Sequence, residues 1–374
     1  MPVAPARADR QADRVEASVL HAVRGVLGRR LSGPRALPWA VLAGAAVLVA
    51  VDPAATGTLA PWPFVVALAI FGMPHGAADW EVSARLAGRH GFVRRCVGFV
   101  PYMALMLACT AALVLAPGPT AVAFLGLTVV HFGMEDADSL HAAHEGRVSR
   151  WSLAVGRGLL LVCGVFAAHP DEAWAPFAEI GNALAPWSAV RWTIDPPAMR
   201  GAALLGCGAG VALSLLGAGS RAFHGQRREA MLDIAEGALV AFVALQADPL
   251  FAIGTYFIGV HAFRHCRRMA NMPTIIEPPP APPGFARRLV RVHVLGLPLA
   301  MPTALFLAGI CILLGGFDVR TIAVASIGFY IVSTLPHHLL GLALPAEHVP
   351  HGYQSSAAAC AAPRNAATIL APGD

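Results

Sequence analysis

The chain has 374 residues, 56% of them hydrophobic and only 13% charged, with a mean hydropathy of +0.61, whereas a soluble domain carries about 45–50% apolar and about 25% charged residues. That balance excludes an ordinary soluble enzyme and a disordered chain. Seven cysteines in this length exclude a disulfide scaffold, which leaves an all-α, polytopic membrane helical bundle. The formal net charge of +5 gives no reason to expect a nucleic-acid partner, because all 27 basic residues are arginine, a skew that matches the Ala, Gly and Pro richness of a GC-rich genome.

Residues 1–35 hold seven arginines and read as a cytosolic Arg-rich tail, with an interfacial amphipathic helix over Val15–Leu31 as the alternative. Apolar segments follow at 36–51, 60–80, 96–116, 119–135, 151–168, 199–218, 231–247, 249–266, 292–314 and 320–343. These predict about ten transmembrane segments (8–10). Several are near the lower length for crossing about 30 Å of hydrocarbon, and the seventh and eighth are joined only by Ala247-Asp248-Pro249. With both termini cytoplasmic, 24 of the 27 arginines fall on the inner side, as the positive-inside rule requires. The long outer connection is 169–198, and 273–286 (PTIIEPPPAPPGFA) reads as a proline-rich inner linker. Residues 36–344 are the expected transmembrane catalytic domain, followed by a disordered Ala/Pro-rich tail at 345–374. The cysteines read as small buried hydrophobes. With no lysine anywhere, a retinal Schiff base, and so a retinal-binding rhodopsin, is excluded.

Ionisable residues in hydrocarbon are expensive and mark function. Four even-numbered segments carry them in short motifs: GMPHGAAD with His75 and Asp79, VVHFGMEDAD with His131 and Glu135, YFIGVHAFRH with His261 and His265, and STLPHHLLG with His337 and His338. All four segments run from outside to inside. Counted from their starts at 1.5 Å per residue, the histidines share a slab about 7–8 Å thick in the inner half of the bilayer. His261 and His265, at i and i+4, lie on one helix face and can bind one metal, as the two histidines of HExxH do. Neutral imidazole suits iron, zinc and copper. Asp79 and Glu135 each stand four residues after a histidine, placed to orient His75 and His131. A metal or cofactor site is therefore expected, with a proton or ion pathway as the alternative. Met73-Pro74 and Leu335-Pro336 predict helix breaks. Gly72, Gly76 and Gly133 predict close backbone approach. His90, His141, His144, His169, His224, His293, His348 and His351 read as solvated.

The four motifs together, in this order across nearly all of the membrane part, resemble the Brp/Blh family of membrane β-carotene 15,15′-dioxygenases. The resemblance implies O₂-dependent cleavage of β-carotene at its central double bond to two retinal molecules. It implies a non-haem Fe(2+) held by His75, His131, His261 and His265, a multi-pass protein of the bacterial inner membrane, and a functional link to a retinal-binding opsin. His337 has three expected roles, of which a pocket wall is preferred over ligation or packing. Phe71, Trp80, Phe132, Tyr256, Phe257 and Phe263 are candidates for the wall of a carotenoid tunnel. Competing readings are a di-iron desaturase or hydroxylase, a b-type haem protein, and a membrane metal or proton transporter. The di-iron enzymes need HxxHH boxes besides HxxxH, and this core has a single HxxxH at 261–265. Haem would need histidine pairs at two depths. A transporter often shows related halves, and none is evident.

Overall fold

The computed structural model describes residues 33–140, 146–186, 195–272, 275–276 and 284–344. The expected N-terminal tail, the tail after 344 and most of the proline-rich linker lie outside the described residues. Each apolar segment is helical. The first is α1 (Ala36–Val51). A short α2 (Pro53–Leu59) follows, and the second segment does not form one rod but runs through three short helices, α3 (Trp62–Ala69), α4 (Gly72–Ala77) and α5 (Asp79–Leu86). Proline explains the break between α3 and α4. Pro74 has no N–H to give the Ile70 carbonyl, which instead accepts from Gly72 N at 2.6 Å.

Then come α6 (Phe92–Leu115), α7 (Pro117–Leu140), α8 (Arg147–Ala168), α9 (Pro170–Leu184), α10 (Pro196–Phe223) and α11 (Arg227–Gln246). A continuous helix follows as α12 (Pro249–Tyr256), a π-helical turn (Phe257–Ala262) and α13 (Phe263–Ala270). The chain closes with α14 (Phe285–Leu313) and α15 (Val319–Ala343). Several helices open on proline, whose missing N–H costs nothing in the first turn. The Asp248 side chain caps α12 through Leu250 N at 2.9 Å, and Asp318 caps α15 through Arg320 N at 3.0 Å. The long outer connection contains α9, packed against α15, α8 and α7.

Among the described residues, six helices are long and apolar enough to cross a membrane: α6, α7, α8, α10, α14 and α15. The chain is a polytopic helical membrane protein. Only 11% of the apolar stretch of α6 and 17% of that of α14 is buried, against 72% for α8, so α6 and α14 are the lipid-facing walls and α8 the central post. Helices meet through glycine: a Cβ at Gly133 would collide with the Ala154 carbonyl, and one at Gly158 with the Val129 carbonyl. Such small residues let helix backbones touch in a membrane, where apolar burial gives little drive to associate.

Beneath this apolar shell lies a buried ionic network. Glu236 on α11 accepts from Arg157 and Arg264 at 2.6 Å each, Trp39 Nε1 at 2.9 Å and Arg35 at 3.1 Å. Asp136 faces Arg264 at 2.7 Å and Arg157 at 3.2 Å, and accepts the Tyr256 hydroxyl at 2.5 Å. Asp233 pairs with Arg35 at 2.7 Å and with Arg221. Charges persist in such surroundings only when paired and hydrogen-bonded. Here α1, α7, α8, α10, α11 and α13 are tied at one level by carboxylate–guanidinium contacts.

Candidate metal centre

The break between α3 and α4 sets the first functional histidine. Phe71 has φ +59°, a left-handed conformation that a bulky residue rarely adopts; strain of this kind costs about 1–3 kcal/mol and clusters at functional sites. It aims the Phe71 carbonyl at His75, whose Nδ1 donates to it at 2.9 Å. The π turn carries His261, as π turns often do at functional sites, and α13 carries His265. Their rings remain on one side with centroids 6.5 Å apart.

The four motifs converge. The His75 ring centroid lies 5.6 Å from His261, 5.3 Å from His265 and 5.0 Å from His337. His131 lies 4.6 Å from His261 and 5.3 Å from His337, and His265 lies 5.0 Å from His337. Within this group of five, His75, His261 and His337 each offer a nitrogen, and these nitrogens lie within 4.8 Å of one another. The common depth read from sequence is a real meeting point.

Three of the five rings are hydrogen-bonded through Nδ1: His75 to the Phe71 carbonyl, His337 to Asp79 Oδ2 at 2.7 Å, and His131 to His338 Nδ1 at 3.2 Å; the His265 Nδ1 faces Glu135 Oε2 at 3.0 Å without a hydrogen bond. Each of the three therefore has Nε2 left over. His337 Nε2 and both nitrogens of His261 are buried without a hydrogen-bond partner. Unpartnered buried polar atoms cost about 1–3 kcal/mol each, and native interiors leave few of them. Imidazole nitrogens that converge while their other nitrogens are held by carboxylate or carbonyl form the donor pattern of a histidine metal site.

Two expected pairings differ. Asp79 does not orient His75: α4 yields to α5 at Ala78 (φ −69°, ψ −15°), and Asp79 leaves the histidine's face. Its Oδ2 instead accepts from both His337 Nδ1 and the Tyr102 hydroxyl, each at 2.7 Å. Glu135 does not orient His131; it turns to His265 and to Arg268, 3.2 Å away, because a buried guanidinium is a stronger partner than a neutral ring. Asp79→Asn, which weakens the acceptor that holds His337, is expected to lower metal affinity or activity about 10–100-fold while the protein still inserts and folds. Metal titration of the purified variant reads this directly; wild-type affinity would remove Asp79 from the site.

An apolar cavity of about 270 Å³ opens from the imidazoles. His75, His131, His261 and His337 line it, together with Phe132 and Phe257, as expected for those two aromatics. Tyr256 does not line it: its hydroxyl is committed to Asp136, and its ring lies tilted against Phe132 at 5.6 Å. Trp80 packs on Phe99 and Phe263 on Phe71, at 5.4 and 5.6 Å. On α7, on α12 with its π turn, and on α15, the lining runs from Phe124, Pro249 and Ile327 inward to Phe132, His261 and His337. The imidazoles thus close one end, and the arm above them extends about 18 Å along α12 at helical rise. The wall hydroxyls of Thr128, Ser333 and Thr334 are spent on carbonyls of their own helices at 2.6–2.9 Å. Met103 on α6 and Phe306 on α14 line the cavity yet are 50% and 40% exposed, so the cavity also opens sideways between helices bent by Pro101, Pro298 and Pro302.

Sequence reading missed Arg157, Asp233, Glu236 and Arg264 as one buried unit; the available signal was charge inside the fifth, seventh and eighth apolar segments. Of the histidines read as solvated, His90 and His224 are exposed. His169 and His293 are half-buried, and His293 packs on Phe71 at 5.7 Å. His141, His144, His348 and His351 lie outside the described residues.

Compared with known proteins, residues 66–344 match the model of a family described as beta-carotene 15,15′-dioxygenase (BCD). The probable beta-carotene 15,15′-dioxygenase Blh of Halobacterium salinarum is 31% identical over 264 residues, covering 65% of this chain and 73% of that relative. No solved structure matches.

Proposed function

The chain belongs to the beta-carotene 15,15′-dioxygenase family of oxidoreductases, and from that premise we propose that it cleaves β-carotene at its central double bond, at a non-haem Fe(2+) among the clustered histidines. The observation that carries this reading is the cavity itself: hydrocarbon walls ending on imidazoles whose nitrogens lack partners. One O₂ is consumed, the central C=C is broken, and each carbon keeps one oxygen atom, giving two retinal molecules. Iron supplies the O₂ chemistry that no side chain can.

The residues divide the remaining work. In this reading His75, His261 and His337 are the inner donor set, with His131 and His265 against them; the converging nitrogens of the three support it, and His337 is then a donor as well as a lining residue. Asp79, with Tyr102 on the same oxygen, holds His337, and Glu135 stands beside His265 at 3.0 Å. Phe132 and Phe257 press the polyene toward the rings and keep water out. The cleavage needs no acid–base group on the polyene. An ion pathway would require a chain of polar groups along the outer arm, where Phe124, Leu250, Ile253 and Ile327 stand and Glu172 is the one carboxylate among the described lining residues.

In the bilayer, the ten helical segments correspond to ten crossings with both termini cytoplasmic, in a bacterial inner membrane, and residues 36–344 form the catalytic unit. A retinal-binding opsin would take the product. Expression in a β-carotene-making bacterium tests the reading. Loss of colour with appearance of retinal is expected; full colour with the protein folded in the membrane would contradict it.

A further inference from the structure

Glycine in a helix needs a reason, since it is a poorer helix former than alanine. The glycines around this site have reasons of two kinds. A Cβ at Gly72 would run into Ala67, and one at Gly133 into the Ala154 carbonyl, so both are glycine for packing. Gly76, next to His75 and expected from sequence to belong with them, does not. A Cβ there meets nothing within 4 Å, and its φ is not positive. Neither packing nor backbone conformation asks for glycine at this position. Gly76 does line the cavity, beside the imidazoles.

A straight, stiff polyene cut at its middle must extend in two directions from the metal. The arm above the imidazoles takes one half. The other half needs an exit at the level of His75, and the cavity has one where Gly76, Tyr102, Met103 and Leu299 line it toward the gap between α6 and α14. We propose that Gly76 is a specificity-determining substrate contact: its missing side chain is the passage by which the polyene runs past the imidazoles, half in the outer arm and half toward the bilayer. A side chain at this position would stop an entering chain short of its midpoint. This rests on the β-carotene reading above.

The test compares Gly76→Ala, Gly76→Val and Gly76→Phe with Gly126→Phe, each in the full chain loaded with Fe(2+). Gly126 has equally open surroundings, but it is exposed on α7 and does not line the cavity. Three quantities are read: bound iron, β-carotene affinity by absorbance, and the rate and lengths of products. The Gly76 variants are expected to keep wild-type iron and thermal stability. Affinity and kcat/KM should fall in the order Ala, Val, Phe, with Phe down ~100-fold, as expected when the reacting bond is misplaced, while Gly126→Phe stays at wild type. Wild-type affinity and rate in iron-loaded Gly76→Val or Gly76→Phe would overturn the proposal. So would loss of iron in both, because Gly76 would then serve the fold and not the substrate. If the wild type itself neither binds nor cleaves β-carotene, the functional reading falls, and this inference with it.

Discussion

His261→Ala is expected to leave a folded, membrane-inserted protein with neither iron nor measurable cleavage. His261 sits at the centre of the group, fully buried, with both ring nitrogens unpartnered and with the rings of His75 and His131 at 5.6 and 4.6 Å. Loosening a residue that merely orients a metal ligand costs about 10–100-fold in affinity or activity, and deleting a central ligand removes more. The fold should survive, since no hydrogen bond to His261 is lost and the imidazole gives way to a small apolar group. Metal analysis alongside product detection checks both halves. The same assay on His75→Ala, His131→Ala, His265→Ala and His337→Ala ranks the donors, and iron loss in His337→Ala as complete as in His261→Ala is expected. Full iron in His261→Ala would remove it from the site.

Glu236→Gln is expected to destabilise the protein by about 3–5 kcal/mol, the usual penalty for breaking a buried ion pair from one side. Glu236 is fully buried and receives three guanidinium groups and an indole N–H. A neutral amide leaves Arg35, Arg157 and Arg264 sharing Asp136 and Asp233, with Glu229 at 3.3 Å from Arg35. Thermal unfolding in detergent should show a large loss. Glu236→Gln combined with Arg157→Met should recover part of it, because removing both charges is far milder than stranding one. A single variant as stable as wild type would mean that the network is not what ties α11 to α8 and α13.

Much of this architecture is legible in the chain, for identifiable reasons. Helix is written in composition, so all ten apolar segments are helical, while six of the described helices are long and apolar enough to cross a membrane. Depth is written in residue count, so the four histidine motifs fall at one level. What residue count lacks is azimuth. Nothing local links Asp79 to His337, 258 positions away, and the i, i+4 rule assigned Asp79 to the nearer histidine. The same blindness made Gly76 look like a packing glycine and Tyr256 a wall residue. Arginine counting treated Arg157 and Arg264 as members of the cytoplasmic edge. Their partners, Asp136 and Glu236, come from other helices, and pairing across helices leaves no mark in sequence spacing.

The central claim is that clustered imidazoles hold one iron that splits β-carotene at its middle. The most direct measurement is a stoichiometry on purified protein loaded with Fe(2+), supplied with β-carotene and O₂. The account predicts one iron per chain, with two retinal molecules formed for each β-carotene and each O₂ consumed, and no turnover after the iron is stripped. Products of unequal length, or unchanged turnover in stripped protein, would contradict it.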